Sequence, residues 1–283
     1  MRKISLLVIL AIVLLPLTAC EGEMPPAGEV IDNVVEAMGE VESYRQDTDI
    51  TMQLYFMAED MPSFFPLDMD LEMNMETACD LVNNETEAII DMKIAGADDD
   101  SLEMDFALYI VDDTMYVMMD YPIISPMWMK SDIPWMYAQQ MNDHKVLMEV
   151  LQRAGIEVAG TERKEGTNCY VLEVTPDIGQ ILESLIGQLG VYDGGYSESD
   201  LEMIDEIFQD FSVKLWVDKN NYRITYVEVN LQMEVSPELM GEYDEEGLFS
   251  LDATIKAHYH DYNKSVKIDL PPEAENADEG SLW

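Results

Sequence analysis

Apolar and polar side chains alternate along long stretches of this chain. In the segment LDMDLEMNME, residues 67–76, every odd position is leucine or methionine and every even position is acidic or asparagine. Successive side chains of a strand point to opposite faces, so this pattern predicts a strand with one apolar and one acidic face.

The same period of two recurs before and after this segment. It covers residues 50–56, 88–94, 102–110 and 115–119, and turn signals at Asn83-Asn84, at 98–100 and at Asp112-Asp113 separate the later runs. Five strands joined by short turns predict an antiparallel meander with one apolar face. Further strands are predicted in GTERKEGTNCYVLEVTP and at residues 213–217, 227–235 and 249–259, which gives about ten in all.

Four segments have helical spacing instead. Val30, Val34 and Met38 share one face of a predicted first helix. A second helix is predicted from Pro134 to a C-terminal cap at Gly155, and two more follow Thr175 and Ser199. Four amphipathic helices of modest length can cap a curved sheet of about ten strands but cannot fill it.

The apolar stripe relies on methionine, of which the chain has 22. Methionine is flexible and adapts to ligands of variable shape, whereas β-branched residues pack strands better. One interpretation is a concave apolar interior that accepts a ligand, and the other is an ordinary filled core. The predicted cavity residues are Met52, Leu54, Met69, Leu71, Met73, Met104, Phe106, Met115 and Leu231. A copper site is not expected, because these thioethers are strung along strands and not clustered.

The N-terminus has the features of a lipoprotein leader. Arg2 and Lys3 precede an apolar run, residues 4–15, that is too short to span a bilayer, and LTAC ends at Cys20. We therefore expect residues 1–19 to be a cleaved signal peptide and Cys20 to carry lipid (palmitate among the chains). The alternative is an ordinary signal peptide with a chance cysteine. Residues 20–27 then form a tether, residues 28–270 a single domain, and residues 271–283 an acidic flexible tail.

Charge excludes one class of partner. Without Arg2 and Lys3 the chain has 13 basic and 58 acidic side chains, a formal net charge of −45. Nucleic-acid binding needs basic patches and is excluded. The acidic side chains are interpreted as a solvated coat, with an acidic ligand-binding surface as the alternative.

No constellation in the chain predicts catalysis, so an enzyme is not expected. His258 and His260 lie two residues apart on one strand face, a spacing that can bind zinc. That face also holds Asp252 and Lys256 and is predicted to be its solvent side, so no metal and no cofactor is expected. Cys79 and Cys169 are candidates for a disulfide, and two separate buried thiols are the alternative.

The order of segments resembles the LolA-like superfamily of lipoproteins, including the LppX and LprG type. The resemblance spans residues 28–275 and includes PMWMKSD, GTERKEGTNCYVLEVTP, VKLWVDKNNYRITYVEV and YNKSVKIDLPPEA. It implies an α+β fold: a strongly curved antiparallel half-barrel with amphipathic helices across its concave face and acyl chains held between them.

Two hypotheses on function follow. The first is a lipid-anchored protein on the extracytoplasmic side of the cell membrane, a monomer that binds a lipid or another apolar ligand in this cavity. The second is an acidic, surface-exposed sensory or protein-interaction lipoprotein with a filled core and no ligand.

Overall fold

The structure is a computed structural model that describes residues 24–57, 68–96, 101–122, 124–132, 151, 154–175, 207–235 and 248–279. Its elements are α1 (Ala27–Gly39), β1 (Ser43–Met57), β2 (Asp68–Asp80), β3 (Glu85–Gly96), β4 (Ser101–Val111), β5 (Thr114–Tyr121), β6 (Ile124–Asp132), β7 (Gly155–Lys164), β8 (Thr167–Thr175), β9 (Phe208–Asp218), β10 (Ile224–Val235), β11 (Leu248–His260), a 3-10 helix (Pro272–Asn276) and β12 (Asp278–Glu279).

All twelve strands belong to one open, curved sheet. Their order is β12-β6-β5-β4-β3-β2-β1-β11-β10-β9-β8-β7, and every pair is antiparallel except β12 with β6. The predicted meander is therefore present and begins on β1. The sequence predicted about ten strands because β6 and the short β12 do not have a clear period of two. The pairing of β1 with β11 joins the two ends of the chain at the centre of the sheet.

The first predicted helix is confirmed as α1. Val30, Val34 and Met38 lie on one side of it and are at most 1% exposed. The residues that pack with them include Leu215 and Ile224, both fully buried. Among the described residues, no helix has the length and apolar character needed to cross a bilayer.

The predicted second helix does not end at Gly155 with a glycine cap. Gly155 is instead the first residue of β7, paired with Thr175 of β8. An extended residue in a ladder does not have the left-handed conformation that a glycine cap requires. The predicted helical segments at 134–150, 176–189 and 199–206 lie outside the described residues.

The hairpin turn that the sequence indicated at Asp112-Asp113 is confirmed, and a second turn of the same kind joins β7 to β8. Asp112 and Asp113 both have positive φ, 52° and 61°, as a two-residue type I′ turn requires. Glu165 and Gly166 do the same between β7 and β8, with φ of 47° and 88°. At the outer edge of the sheet, the pairing of β7 with β8 shifts register between Val158 and Gly160.

The sheet has two chemically different faces over β1 and β2. Met52 pairs with Leu71 and Leu54 with Met69, and we call the face that bears them the methionine face. The opposite face, which we call the acidic face, carries Asp49, Thr51, Glu72 and Glu76 in the same register. Helix α1 packs on the methionine face, because Tyr44 and Leu215 of its core share that face.

The C-terminal segment covers a second apolar cluster on the acidic side of the sheet. Ile268 packs against Ala107 and Tyr109, with Val266, Leu270 and Trp128 around them. The chain then forms the 3-10 helix, in which Ala274 is fully buried, and β12 pairs with β6. The acidic composition predicts a flexible tail from residue 271. Secondary structure instead continues to Glu279, because the Ala274 and Ala277 side chains are buried.

Tyr109 should make the folding stability of the protein sensitive to alkaline pH. Its pKa is raised to about 12, first by burial and then by the hydrogen bond to the Glu87 carboxylate. The unfolded chain ionises this phenol near pH 10, so stability is complete below that pH and falls as pH rises toward 12. The loss attributable to Tyr109 should be about 2 kcal/mol.

Urea unfolding of the wild type and of Tyr109→Phe at a series of pH values checks this expectation. The variant should be slightly less stable at neutral pH, because it lacks the bond to Glu87, and should lose less stability between pH 10 and 12. Parallel curves for the two proteins would contradict it.

Candidate functional site

The nine predicted cavity residues all lie on the methionine face. Met73 faces Met92, and Met92 faces Met104, so methionines stand opposite one another across β2, β3 and β4. The strand register places the others on the same side, over β1, β5 and β10. The sequence alternation therefore assigned these residues to the correct common face.

Burial divides these nine residues into two groups. Met104 and Met115 are buried, at 8% and 6% exposure. The other seven are only half-buried. Leu102, which shares this face through its pairing with Ile94, is 44% exposed. The side chains that are buried almost completely belong mainly to the α1 cluster at the other end of the same face.

A polar belt separates the packed core from the methionine stripe. Gln46 and Thr48 of β1 point to the methionine face and are 6% and 4% exposed. The Gln46 amide donates to Thr48 Oγ1 at 2.8 Å. Thr77, opposite Gln46 on β2, has a buried hydroxyl with no hydrogen-bond partner among the described residues. No sequence signal indicated this belt, because Gln46 and Thr48 precede the clearly alternating part of β1.

A cavity of about 730 Å³ lies over the centre of the sheet. Most of the residues that line it have their side chains on the acidic face. The lining residues are Thr51, Met52, Gln53, Asp70, Leu71, Glu72, Lys93, Ala95, Asp210, Asn230, Leu231, Gln232, Asp252, Ala253 and Thr254. Met52, Leu71 and Leu231 alternate with the polar residues, so their main chains reach this cavity while their side chains point to the methionine face.

The chemistry of this cavity is polar and mostly acidic. Four carboxylates and Lys93 surround it. Gln53 donates to Asp70 at 3.0 Å, and the Thr254 hydroxyl donates to Asn230 at 3.1 Å. Such a lining suits a cationic or hydroxyl-rich molecule. It differs from the predicted apolar cavity because most of the side chains around it belong to the acidic face.

Cys79 and Cys169 do not form the candidate disulfide. Neither is in a disulfide, and both are buried. Cys79 packs with the α1 cluster, whereas Cys169 packs with Val171 and Trp216 on the opposite face. Four strands lie between β2 and β8 in the sheet, and burial raises the pKa of the Cys169 thiol. The alternative of two separate buried thiols is therefore the observed one. The lipidation candidate Cys20 lies outside the described residues.

The histidine pair lies on the acidic face, as its spacing indicated. What the sequence did not reveal is a third group: Asp47 of β1 faces His258 directly in the register. The ligand atoms of Asp47, His258 and His260 all lie within 4.8 Å of one another. Strand β1 meets β11 only in the folded sheet, so no local pattern could have found this aspartate.

Solved structures similar to this chain have low sequence identity to it. A DUF1329 family protein from Desulfovibrio piger is 10% identical, with 87% of this chain and 96% of that chain covered and a TM-score of 0.28. A LolA superfamily protein from Nitrosomonas europaea is 14% identical, with 88% and 97% covered and a TM-score of 0.22. A protein domain from Vibrio parahaemolyticus, described as outer membrane lipoprotein-sorting, is 10% identical, with 85% and 95% covered and a TM-score of 0.25. The second of these structures has the superfamily name that the sequence resemblance gave.

A search of curated proteins found no match. One family model matches residues 26–279, which include α1 and all twelve strands. The chain therefore belongs to the family of unknown function DUF6612.

Proposed function

We propose that this protein is a lipoprotein held on the extracytoplasmic side of the cell membrane, and that its methionine face binds a lipid or another apolar ligand. The observation that supports this most is the half-buried methionine stripe beside a completely packed core on the same face. The role is binding and not catalysis.

The stripe has the surface of a ligand site. Contiguous apolar side chains that a fold leaves partly open mark places where another molecule is bound. From Ile50 to Phe56 the stripe on β1 extends over roughly 20 Å, a length that suits an extended hydrocarbon chain. Flexible thioethers at Met52, Met69 and Met73 adapt to chains of different shape. Each Å² of ligand surface covered contributes roughly 25 cal/mol to affinity.

The polar belt favours an amphiphile over a pure hydrocarbon. Gln46, Thr48 and Thr77 lie where the stripe meets the packed core. The Thr77 hydroxyl has no partner among the described residues, and a buried hydroxyl without one costs free energy that a polar group of a ligand would recover. A lipid with its polar end at the belt and its chain along the stripe satisfies both parts of this face.

Leu71→Trp tests the proposal against its opposite-face neighbour Glu72→Gln. Tryptophan at position 71 fills part of the stripe. Covering roughly 60 Å² of ligand-accessible surface removes about 1.5 kcal/mol of apolar burial, which is roughly tenfold in the dissociation constant. Fatty-acid uptake by the delipidated mature chain carrying Cys20→Ser, followed by fluorescence and native mass spectrometry, should therefore weaken about tenfold for Leu71→Trp and stay unchanged for Glu72→Gln.

The melting temperature of the same two variants separates an open stripe from a filled core. In an open stripe the larger side chain is tolerated. In a filled core it overpacks and destabilises by about 1 to 3 kcal/mol. Wild-type protein that takes up no fatty acid, together with a destabilised Leu71→Trp, would overturn the proposal and leave the sensory or protein-interaction alternative.

That alternative has one observation in its favour, the polar cavity on the acidic face. Its carboxylates suit a cationic group on a protein or small molecule. If this cavity is the binding site, Glu72→Gln should weaken binding of the partner and Leu71→Trp should not.

A further inference from the structure

Two imidazoles and one carboxylate lie close together on the acidic face. They lie toward one end of β1 and β11, away from the polar cavity. His260 Nε2 lies 3.3 Å from Asp47 Oδ2, and His258 Nδ1 lies 3.9 Å from the same oxygen. The two imidazole rings are 5.0 Å apart between centroids. Two strands position these groups: the histidines alternate along β11, and Asp47 faces His258 from β1.

The ligand atoms lie within 4.8 Å of one another and must move closer together to bind one divalent metal ion. Zinc binds imidazole nitrogen and carboxylate oxygen at about 2.0 to 2.2 Å in tetrahedral geometry, which places ligand atoms roughly 3.3 Å apart. The observed separation between His260 Nε2 and Asp47 Oδ2 is 3.3 Å. The distance from His258 Nδ1 needs to shorten by only about half an ångström to match.

Besides its ion-pair contacts, His260 has two features of a metal-binding histidine. Its Nε2 is shielded from solvent and makes no hydrogen bond to any of the described residues. Its other nitrogen, Nδ1, faces the Asp261 carboxylate at 3.6 Å. A carboxylate behind one ring nitrogen is the usual arrangement that orients a metal-binding histidine and leaves the other nitrogen for the ion.

Neighbouring residues hold His258 in place. Its ring stacks on Tyr226 with centroids 4.7 Å apart and planes 17° apart. The Tyr226 hydroxyl donates to Glu165 at 3.2 Å, and Lys164 Nζ lies 4.6 Å from the centre of the Tyr226 ring. These contacts restrict rotation of the His258 side chain before a ligand binds. Less conformational entropy is therefore lost on binding.

The surrounding charge favours a cation. Glu76 faces Asp47 from β2, and Asp49 follows it on the same side of β1. Arg45, opposite His260, is the nearest cation in the register. The whole chain has a formal net charge of −43, which raises the local concentration of divalent ions.

We propose that Asp47, His258 and His260 form a binding site for a divalent transition metal, with zinc the best fit to two imidazoles and one carboxylate. The Asp47 side chain is 59% exposed, so the fourth position is open to water or to an exogenous ligand. The site lies on the face opposite the methionine stripe and does not depend on the proposed lipid binding.

Zinc titration of the mature chain carrying Cys20→Ser tests the site, with calorimetry for affinity and stoichiometry. Wild type should bind one zinc ion well above the background of surface carboxylates, and its melting temperature should rise with zinc. His258→Gln, His260→Gln and Asp47→Asn should each weaken this binding by at least about tenfold. Bound Co²⁺ should give the visible absorption of a four-coordinate site in wild type and in none of these three variants.

Two variants provide matched controls. His144→Gln removes the third histidine of the chain, and Asp105→Asn removes a carboxylate from the acidic face on β4. Both should bind zinc like wild type, and circular dichroism should show that all five variants are folded. Wild-type affinity in the three site variants, or an equal loss in His144→Gln, would overturn the proposal.

Discussion

Replacing Val34 with aspartate should lower the free energy of unfolding by about 4 kcal/mol or more. Val34 is fully buried at the centre of α1, against the cluster that contains Leu215 and Ile224. An ionised carboxylate at this place has no partner in that cluster, so the helix must either detach or bury an unpaired charge. Urea unfolding at neutral pH measures the effect.

Asn33→Asp is the matched control for this variant. It introduces the same side chain at the neighbouring position of α1, which is half-buried and not part of the packed cluster. Its cost should stay near about 1 kcal/mol, because Asn33 Nδ2 donates to the Glu29 carbonyl oxygen at 2.8 Å and aspartate cannot make this bond. If the two variants were equally stable, α1 would not contribute to the core, and the half-buried stripe could no longer be contrasted with a filled region beside it.

Cys20→Ser should move the protein from the membrane fraction to the soluble fraction. Lipid chains on Cys20 contribute about 0.8 kcal/mol per buried methylene, so two or more chains anchor a protein firmly and their loss releases it. The measurement is fractionation of cells expressing the full chain, together with metabolic labelling by radioactive palmitate. Label should be present in wild type and absent in Cys20→Ser.

Cys79→Ser tests whether the label is specific to one cysteine. Cys79 is buried in the sheet and is not accessible to acylation. That variant should keep both the label and the membrane location. A Cys20→Ser protein that stays in the membrane fraction after washing at high salt would contradict the lipidated anchor.

Local patterns in the sequence predicted the parts of the fold that depend on neighbouring residues. The alternation of residues 67–76 assigned Met69, Leu71 and Met73 to one face, and the register with β1 confirms that. The pair Asp112-Asp113 predicted a hairpin turn, and the positive φ of both residues confirms it. These signals depend on the period of a strand and the geometry of a turn, which a few consecutive residues determine.

Features that depend on distant contacts could not be read in this way. Strand β6 contains Pro126 and has no clear period of two. Its pairing with β5 is therefore evident only in the folded sheet. The C-terminal segment looked like a flexible acidic tail because its apolar residues are sparse, yet Ile268 and Ala274 are buried against strands. Asp47 lies beside the histidines only because β1 pairs with β11, and these two strands come from opposite ends of the chain.

The two ends of the open sheet are protected from other chains in different ways. An unpaired edge strand offers main-chain groups to which another copy can add. At one end the two residues of β12 pair with Met129 and Lys130 of β6. At the other end β7 is interrupted between Val158 and Gly160 and exposes Glu157, Glu162 and Arg163. Bends and charges of this kind oppose edge-to-edge addition of strands, so we expect the protein to form no fibres even at high local concentration.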